Sequence, residues 1–274
     1  MIKKVISNFS IEQICESGQC FRMRKLTDGY VEVIAHGKYL IVSQNENEVT
    51  FDCSQEDYGT VWKEYFDIDQ GTDYDKIISS IDNNDLYLKN ASKFGSGIRI
   101  LNQDLFEMII SFIISQRNNI KRIRGCVSRL CEKYGEEKVF INDKGEKIIY
   151  YDFPKPEALA SANIEDIKSL GVGYRDAYIK RAAEDVVSGK LDLEKLKQMD
   201  YQDAREELLK LFGVGVKVAD CICLFALHHI DAFPIDTHIS SILNNEYNGE
   251  FPFYKYEGYA GILQQYMFFY DLNV

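Results

Sequence analysis

The sequence predicts an α+β chain, with a small antiparallel sheet domain over residues 1–95 and a larger all-helical domain over residues 96–274. Three observations predict it. Residues 20–53 alternate apolar and polar in short runs broken by turn residues, the period of half-buried strands. From about residue 74 the apolar residues recur at helical spacing and stay so. Phe94-Gly-Ser-Gly97 then interrupts the helical pattern and marks the boundary.

The strands are expected over residues 21–25, 30–35, 39–43 and 48–53. They are separated by Asp28-Gly29, His36-Gly37 and Asn45-Glu-Asn47, all hairpin-turn chemistry. Ile77, Ile78 and Ile81 share a helical face, and Leu105, Phe106, Ile109, Ile110 and Ile113 make a strongly apolar helix. Further helices are expected over residues 119–134, 164–170, 174–188, 201–211, 216–227, 236–245 and 257–269.

The chain of 274 residues is 46% hydrophobic, enough for one large or two modest cores. No apolar run reaches the roughly 18 residues that a membrane span needs. The first residues lack a signal-peptide core, so the expected setting is soluble and cytoplasmic, without a membrane partner. Seven cysteines without a Cys-x-x-Cys pair fit reduced thiols, not a disulfide or metal framework. The net charge of −11 argues against a generally sticky nucleic-acid binder. Its distribution is uneven, however. Residues 43–75 hold ten acids and one base, whereas residues 115–133 hold six bases and one acid. The basic segment is either an ordinary solvated helix face or one nucleic-acid-facing edge.

The most informative stretch runs from Leu208 to Cys221. A helix ends, a turn carries Gly213 and Gly215, and a second helix opens with Lys217 in its first turn. Helix N-termini carry partial positive charge, so an ammonium there is disfavoured and the amine is a better nucleophile. The same turn exposes N–H groups that can hold a phosphate. Cys221 follows Lys217 by four residues, on the same face. It reads either as a small buried hydrophobe or as the wall of a pocket that the lysine enters. Asp236, after Phe233-Pro-Ile, is an N-cap candidate, and equally a carboxylate able to stabilise a sugar oxocarbenium ion. His238 is either a structural histidine or a phosphate contact.

The combination Gly213-Val-Gly-Val-Lys217-Val-Ala-Asp-Cys221 with Phe233-Pro-Ile-Asp236-Thr-His238 resembles the helix-hairpin-helix DNA glycosylases. Within that superfamily it resembles the 8-oxoguanine DNA glycosylase/AP lyase branch, as a bacterial-type member. The likeness extends to Ser17-Gly-Gln-Cys-Phe-Arg22, to residues 103–122, to Leu170-Gly-Val-Gly-Tyr-Arg175, and to residues 259–272.

The resemblance implies a helix-hairpin-helix glycosylase fold for the helical domain and a bifunctional activity on duplex DNA. Lys217 would be the nucleophile and Asp236 the essential carboxylate. Gly18, Cys221, Gln264 and Phe268 would hold the flipped base. Gln264 and Phe268 alone also fit an ordinary amphipathic helix. Arg122 and Arg175 would grip the orphaned cytosine, Tyr174 would fill the gap, and Asn118 and Asn119 would line that loop. Gly213, Gly215 and His238 would meet the phosphate backbone. Arg117 departs from the pattern, standing where an asparagine is expected, and an arginine cannot accept a hydrogen bond. This implies looser reading of the opposite base.

No cofactor is expected. A structural cation on the carbonyls of Leu209, Leu211 and Val214 is implied when DNA is bound. An iron–sulfur relative would carry four C-terminal cysteines, and none follow Cys223. An alkylation-repair relative would lack the lysine. The alternative of another class is a non-catalytic helix-hairpin-helix module that only holds DNA. It would explain the glycines and the basic segment, but not Lys217, Asp236, Gln264 and Phe268 together. A monomer is the simplest expectation.

Overall fold

The computed structural model describes residues 1–27, 29–142 and 145–274, so Asp28 of the first expected turn lies outside the described residues. The chain opens with β1 (Ile2–Val5) and α1 (Ile11–Glu16). Strands β2 (Met23–Thr27), β3 (Tyr30–Ala35), β4 (Lys38–Asn45) and β5 (Glu48–Phe51) follow. They form a five-stranded antiparallel sheet of order β1-β5-β4-β3-β2. Val33 pairs with Leu40, and Val42 with Phe51. The alternation works as expected: Val31, Val33, Leu40, Val42, Val49 and Phe51 are buried on one face. That face packs on Ile11 and Ile14 of α1 and on Trp62, Tyr65 and Phe66. Trp62 ends a π-turn over Tyr58–Trp62 that follows α2 (Gln55–Asp57), Tyr65 ends α3 (Lys63–Tyr65), and Phe66 is the residue after it.

Strand β1 was not expected. Its residues are mostly exposed, so it has no buried face to leave an apolar alternation. It joins the sheet edge by backbone pairing, Ile2 against Phe51, with Lys3 donating to Glu48 of β5 at 2.7 Å.

The helical part begins with α4 (Tyr74–Ser79), α5 (Leu86–Phe94), α6 (Leu105–Ser115) and α7 (Ile120–Tyr134). Aspartates and asparagines cap these helices in the expected manner. Asp73, Asp85, Asp104 and Asn119 each accept a hydrogen bond from the third residue onward. Helix α6 is buried from Leu105 through Ile114 and is the centre of the larger core.

The helical pattern does not continue unbroken. Strands β6 (Glu137–Ile141) and β7 (Lys147–Tyr151) make an antiparallel hairpin inside the helical part. This corrects the expectation of helix from residue 74 onward. Only one face of the hairpin is used: Phe140 packs against Tyr39 of β4 at 4.9 Å. Val139, Ile141 and Ile149 face solvent, so the usual apolar-in, polar-out alternation is absent.

Beyond the hairpin lie α8 (Pro156–Ser161), α9 (Ile164–Ile167), a π-turn over Lys168–Val172, a 3-10 turn over Gly173–Arg175 and α10 (Asp176–Val187). Then come α11 (Leu193–Leu196), α12 (Tyr201–Leu208), α13 (Val216–Phe225), α14 (Thr237–Glu246) and α15 (Ala260–Asn273). No helix among the described residues is long and apolar enough to cross a membrane.

One buried ion pair joins the two patterns. Arg22, just before β2, meets Glu107 of α6 at 3.3 Å, and both side chains are nearly inaccessible. Arg22 also donates to the Tyr151 carbonyl on β7. Burial pushes the Glu107 carboxyl up to about 7, against the pull of the Arg22 charge.

Candidate active site

Helices α12 and α13 form the hairpin expected around Gly213. Gly213 has φ +84°, and a Cβ there would run into the Tyr178 ring, so a side chain is excluded twice over. Gly215 is the N-cap of α13 and brings no capping side chain, which leaves the first-turn N–H groups clear of one. Asp220 clamps the two helices together. It is buried and accepts from Arg205 Nε at 2.7 Å and from the Tyr201 hydroxyl at 3.0 Å. Burial raises the Asp220 carboxyl, and the Arg205 bond and charge oppose that rise.

Lys217 is the second residue of α13 and is half-buried. Its Nζ lies 5.4 Å from the centre of the Phe112 ring, a cation over an aromatic face. Phe112 is itself stacked on Phe225 at 5.6 Å and 15°. Cys221 lies one turn further along α13, fully within the protein. Burial pushes its thiol up to about 11, while Lys217 pulls the other way by charge and by a side-chain hydrogen bond. The Asp236 charge raises it further.

Asp236 does cap α14: its Oδ1 accepts from the Ile239 N–H at 2.9 Å. Capping does not exclude the second placement. Asp236, Lys217, Cys221, Gln264, Phe268 and Gly18 all line one pocket. The chain thus brings the base-pocket candidates together from α13, α14, α15 and the loop after α1.

Gln264 is buried, donates Nε2 to the Pro234 carbonyl at 3.1 Å, and keeps Oε1 without a partner among the described residues. Gly18 has φ +78°, and a Cβ there would stand 3.1 Å from Phe268. His238 reaches across to α15, with Nδ1 2.7 Å from Asp271 Oδ2 and its ring edge-on to Phe268 at 5.7 Å.

Sequence reasoning missed three lining residues, Phe112, Phe225 and Gln265. Phe112 sits in an apolar run and carries no separate signal. Gln265 had one, since two consecutive glutamines stand in an otherwise apolar helix.

Residues 110–250, more than half of the chain, match the model of the HhH-GPD superfamily base excision DNA repair proteins. Residues 1–109 match the N-terminal domain of 8-oxoguanine DNA glycosylase. The chain belongs to the 8-oxoguanine DNA glycosylase family.

A Clostridium acetobutylicum 8-oxoguanine glycosylase/lyase, solved with double-stranded DNA containing cytosine opposite 8-oxoguanine, is 34% identical. It superposes with a TM-score of 0.90 over 98% of this chain and 94% of that one. MBOgg1, solved with a low-affinity DNA ligand, is 36% identical with a TM-score of 0.89, over 97% of this chain and 93% of that one. The N-glycosylase/DNA lyase of Saccharomyces cerevisiae is 39% identical over 162 residues, 55% of this chain and 42% of the yeast protein. A probable N-glycosylase/DNA lyase of Methanothermobacter thermautotrophicus is 33% identical over 201 residues, 63% of this chain and 62% of that protein. The match thus spans less than two thirds of these curated relatives.

In this family member the remaining candidates lie outside the base pocket. A wide groove beside it is lined by Arg117, Asn118, Asn119, His238 and Phe268, together with Lys217. Gln116 ties that loop to the hairpin by donating to the Gly213 carbonyl at 3.0 Å. Asn119 caps α7 through the Arg122 N–H at 2.9 Å, and Asn118 accepts from the Asn119 N–H at 3.1 Å. Arg122 is exposed and donates to the Gly171 carbonyl at 3.2 Å. Tyr174 is also exposed and lies under the Arg175 guanidinium at 4.5 Å. Arg175 is buried, with its donors on the carbonyls of Val172, Gln116 and Arg117. It is not presented to the groove as Arg117 is. Among the described residues no cluster of His, Cys, Asp or Glu could hold a metal ion.

Proposed function

We propose that the protein excises 8-oxoguanine from duplex DNA and then nicks the strand at the resulting sugar. The observation that carries this is the convergence of Lys217, Asp236, Gln264, Phe268, Cys221 and Gly18 on one pocket. Excising a base needs a flipped-out nucleotide and a pocket to receive it. A module that only held DNA would need the hairpin and no such pocket.

The Lys217 amine attacks C1′, and the bond from C1′ to N9 of the base breaks. The leaving base carries the electron pair and takes up a proton. Asp236, held by its cap bond beside Lys217, stabilises the positive charge that develops on the sugar. The C1′–O4′ bond then breaks, O4′ takes up a proton given up by the amine, and C1′ and Nζ are left joined as an imine, the Schiff base. Loss of a C2′ proton expels the 3′ oxygen and breaks the strand.

Gln264 offers its unpaired Oε1 to the N–H groups of the base's pairing edge. Phe268 covers one face of the base and Cys221 the other. The Gly18 carbonyl accepts from N7–H, a hydrogen that 8-oxoguanine has and guanine lacks. Gly18 belongs to the first domain, residues 1–95, and the other pocket residues to residues 96–274, so the pocket forms where the two domains meet.

On the other strand, Arg122 and Arg175 grip the orphaned cytosine and Tyr174 fills the vacated space. Arg175 must first exchange its bonds to the Gln116 and Arg117 carbonyls for bonds to the base. Asn118 and Asn119 support that loop. Gly213, Gly215 and His238 meet the phosphates. The hairpin carbonyls of Leu209, Leu211 and Val214 suit a hard cation. Leu211 already accepts from the Val214 N–H at 3.1 Å and retains its second lone pair. The protein acts as a monomer in the cytoplasm and needs no cofactor.

The test uses a duplex with a single 8-oxoguanine opposite cytosine. The protein is expected to release free 8-oxoguanine and to leave a nicked strand, and Lys217→Gln to do neither. Base release without a nick would refute the lyase half, and no release would refute the whole reading.

A further inference from the structure

Gln264 and Gln265 are both buried on α15, at 5% and 1% exposure. Adjacent helical residues point roughly 100° apart, so the two reach different walls of the pocket. Gln264 donates to the Pro234 carbonyl on the Asp236 side. Gln265 donates Nε2 to the Ser17 carbonyl, on the Gly18 side, at 3.2 Å.

Every other hydrogen bond of the loop at residues 17–19, among the described residues, runs elsewhere. Ser17 Oγ donates to the Ile14 carbonyl at 2.8 Å and accepts from Gln19 Nε2 at 2.9 Å. Gln19 also donates to the Arg99 carbonyl at 3.0 Å and accepts from the Leu101 N–H at 2.8 Å. Gln103 donates to the Gln19 carbonyl at 2.8 Å. These bonds tie the loop to α1 and to the segment before α6. Among the described residues, only the Gln265 hydrogen bond registers it against the helix that carries Gln264 and Phe268.

That register matters because the loop turns on a glycine. Gly18 at φ +78° has no side chain to hold its carbonyl in one direction. An acceptor that tells N7–H from a bare lone pair must be placed to a fraction of an ångström. Packing alone does not explain Gln265. Its Oε1 is buried without a partner among the described residues, and a methionine would fill similar space without stranding an oxygen.

We infer that Gln265 is a positioning residue that sets the base discrimination of the pocket, by fixing the Ser17–Gly18 peptide relative to Gln264 and Phe268. This rests on the proposed reading of the pocket as an 8-oxoguanine site. Gln265 itself touches neither the sugar nor the reacting atoms.

Two single-turnover assays on one preparation of Gln265→Met test it: excision of 8-oxoguanine opposite cytosine, and nicking at a preformed abasic site. Nicking needs Lys217, the fold and DNA binding, but no base recognition. Excision is expected to fall by about tenfold to a hundredfold, and nicking to stay within about twofold. Gln265→Glu, an acceptor facing the Ser17 carbonyl, is expected to lower excision at least as far. Unchanged excision would overturn the inference, and so would an equal fall in both assays, the mark of a purely structural role. If the wild-type protein nicks abasic sites but excises no 8-oxoguanine, the reading beneath the inference fails. If wild type excises and the variant matches it, the inference alone fails.

Discussion

His238 Nδ1 donates to Asp271 Oδ2 at 2.7 Å, joining the first turn of α14 to the last turn of α15. The same imidazole meets the edge of Phe268 at 5.7 Å. One exposed pair thus steadies both the helix that Asp236 caps and the aromatic wall of the pocket. Removing the carboxylate with Asp271→Ala loses about 1 kcal/mol of orientation. Excision under kcat/KM conditions is expected to fall by roughly fivefold, with the melting temperature nearly unchanged. An unaltered rate would show that the pair is decorative.

Asp220 predicts a stability effect. It is buried between Arg205 and Tyr201, and it fixes α12 against α13. Asp220→Ala strands the Arg205 charge, although Arg205 remains a quarter exposed to water. The expected loss is about 2 kcal/mol, below that of a fully buried pair. A chemical denaturation midpoint measures it, and a shift within error would mean that the hairpin is held by apolar packing alone.

Glu107 predicts a pH dependence. Its folded-state pKa of about 7 stands above the ordinary value of 4.5. The protonated carboxyl therefore stabilises the fold fully below pH 4.5, and that contribution is lost as pH rises through 7. Its upper bound is on the order of 3 kcal/mol. Unfolding free energy should fall across this window in wild type, and the slope should flatten in Glu107→Gln. Parallel curves for the two proteins would contradict the assignment.

Much of the site was legible because it depends on short-range chemistry. The two glycines and Lys217 follow from hairpin geometry, and Asp236 from cap geometry, and each stands where expected. Sheet strands β3 to β5 followed from alternation, which a one-faced sheet enforces, whereas β2 buries only Met23. The edge strand β1 and the hairpin β6–β7 were not legible, because neither buries a regular alternate face. The engagement of Arg175 by its neighbouring carbonyls was hidden for another reason. It is a tertiary contact between the loop before α10 and the loop before α7.

Arg117 predicts the behaviour toward the opposite strand. It lines the groove at φ +46°, and its guanidinium has no acceptor to offer a cytosine amino group. Excision rates of 8-oxoguanine paired with each of the four bases should lie within about tenfold of one another. A cytosine pair faster by orders of magnitude would refute this.

The central claim is that Lys217 becomes covalently joined to C1′. Borohydride reduction during turnover on an 8-oxoguanine duplex traps such an imine as a stable amine. The wild-type protein is expected to yield a protein–DNA adduct, mapped by peptide mass to Lys217, and Lys217→Gln to yield none. An adduct that persists in Lys217→Gln, or that maps to another residue, would contradict the account.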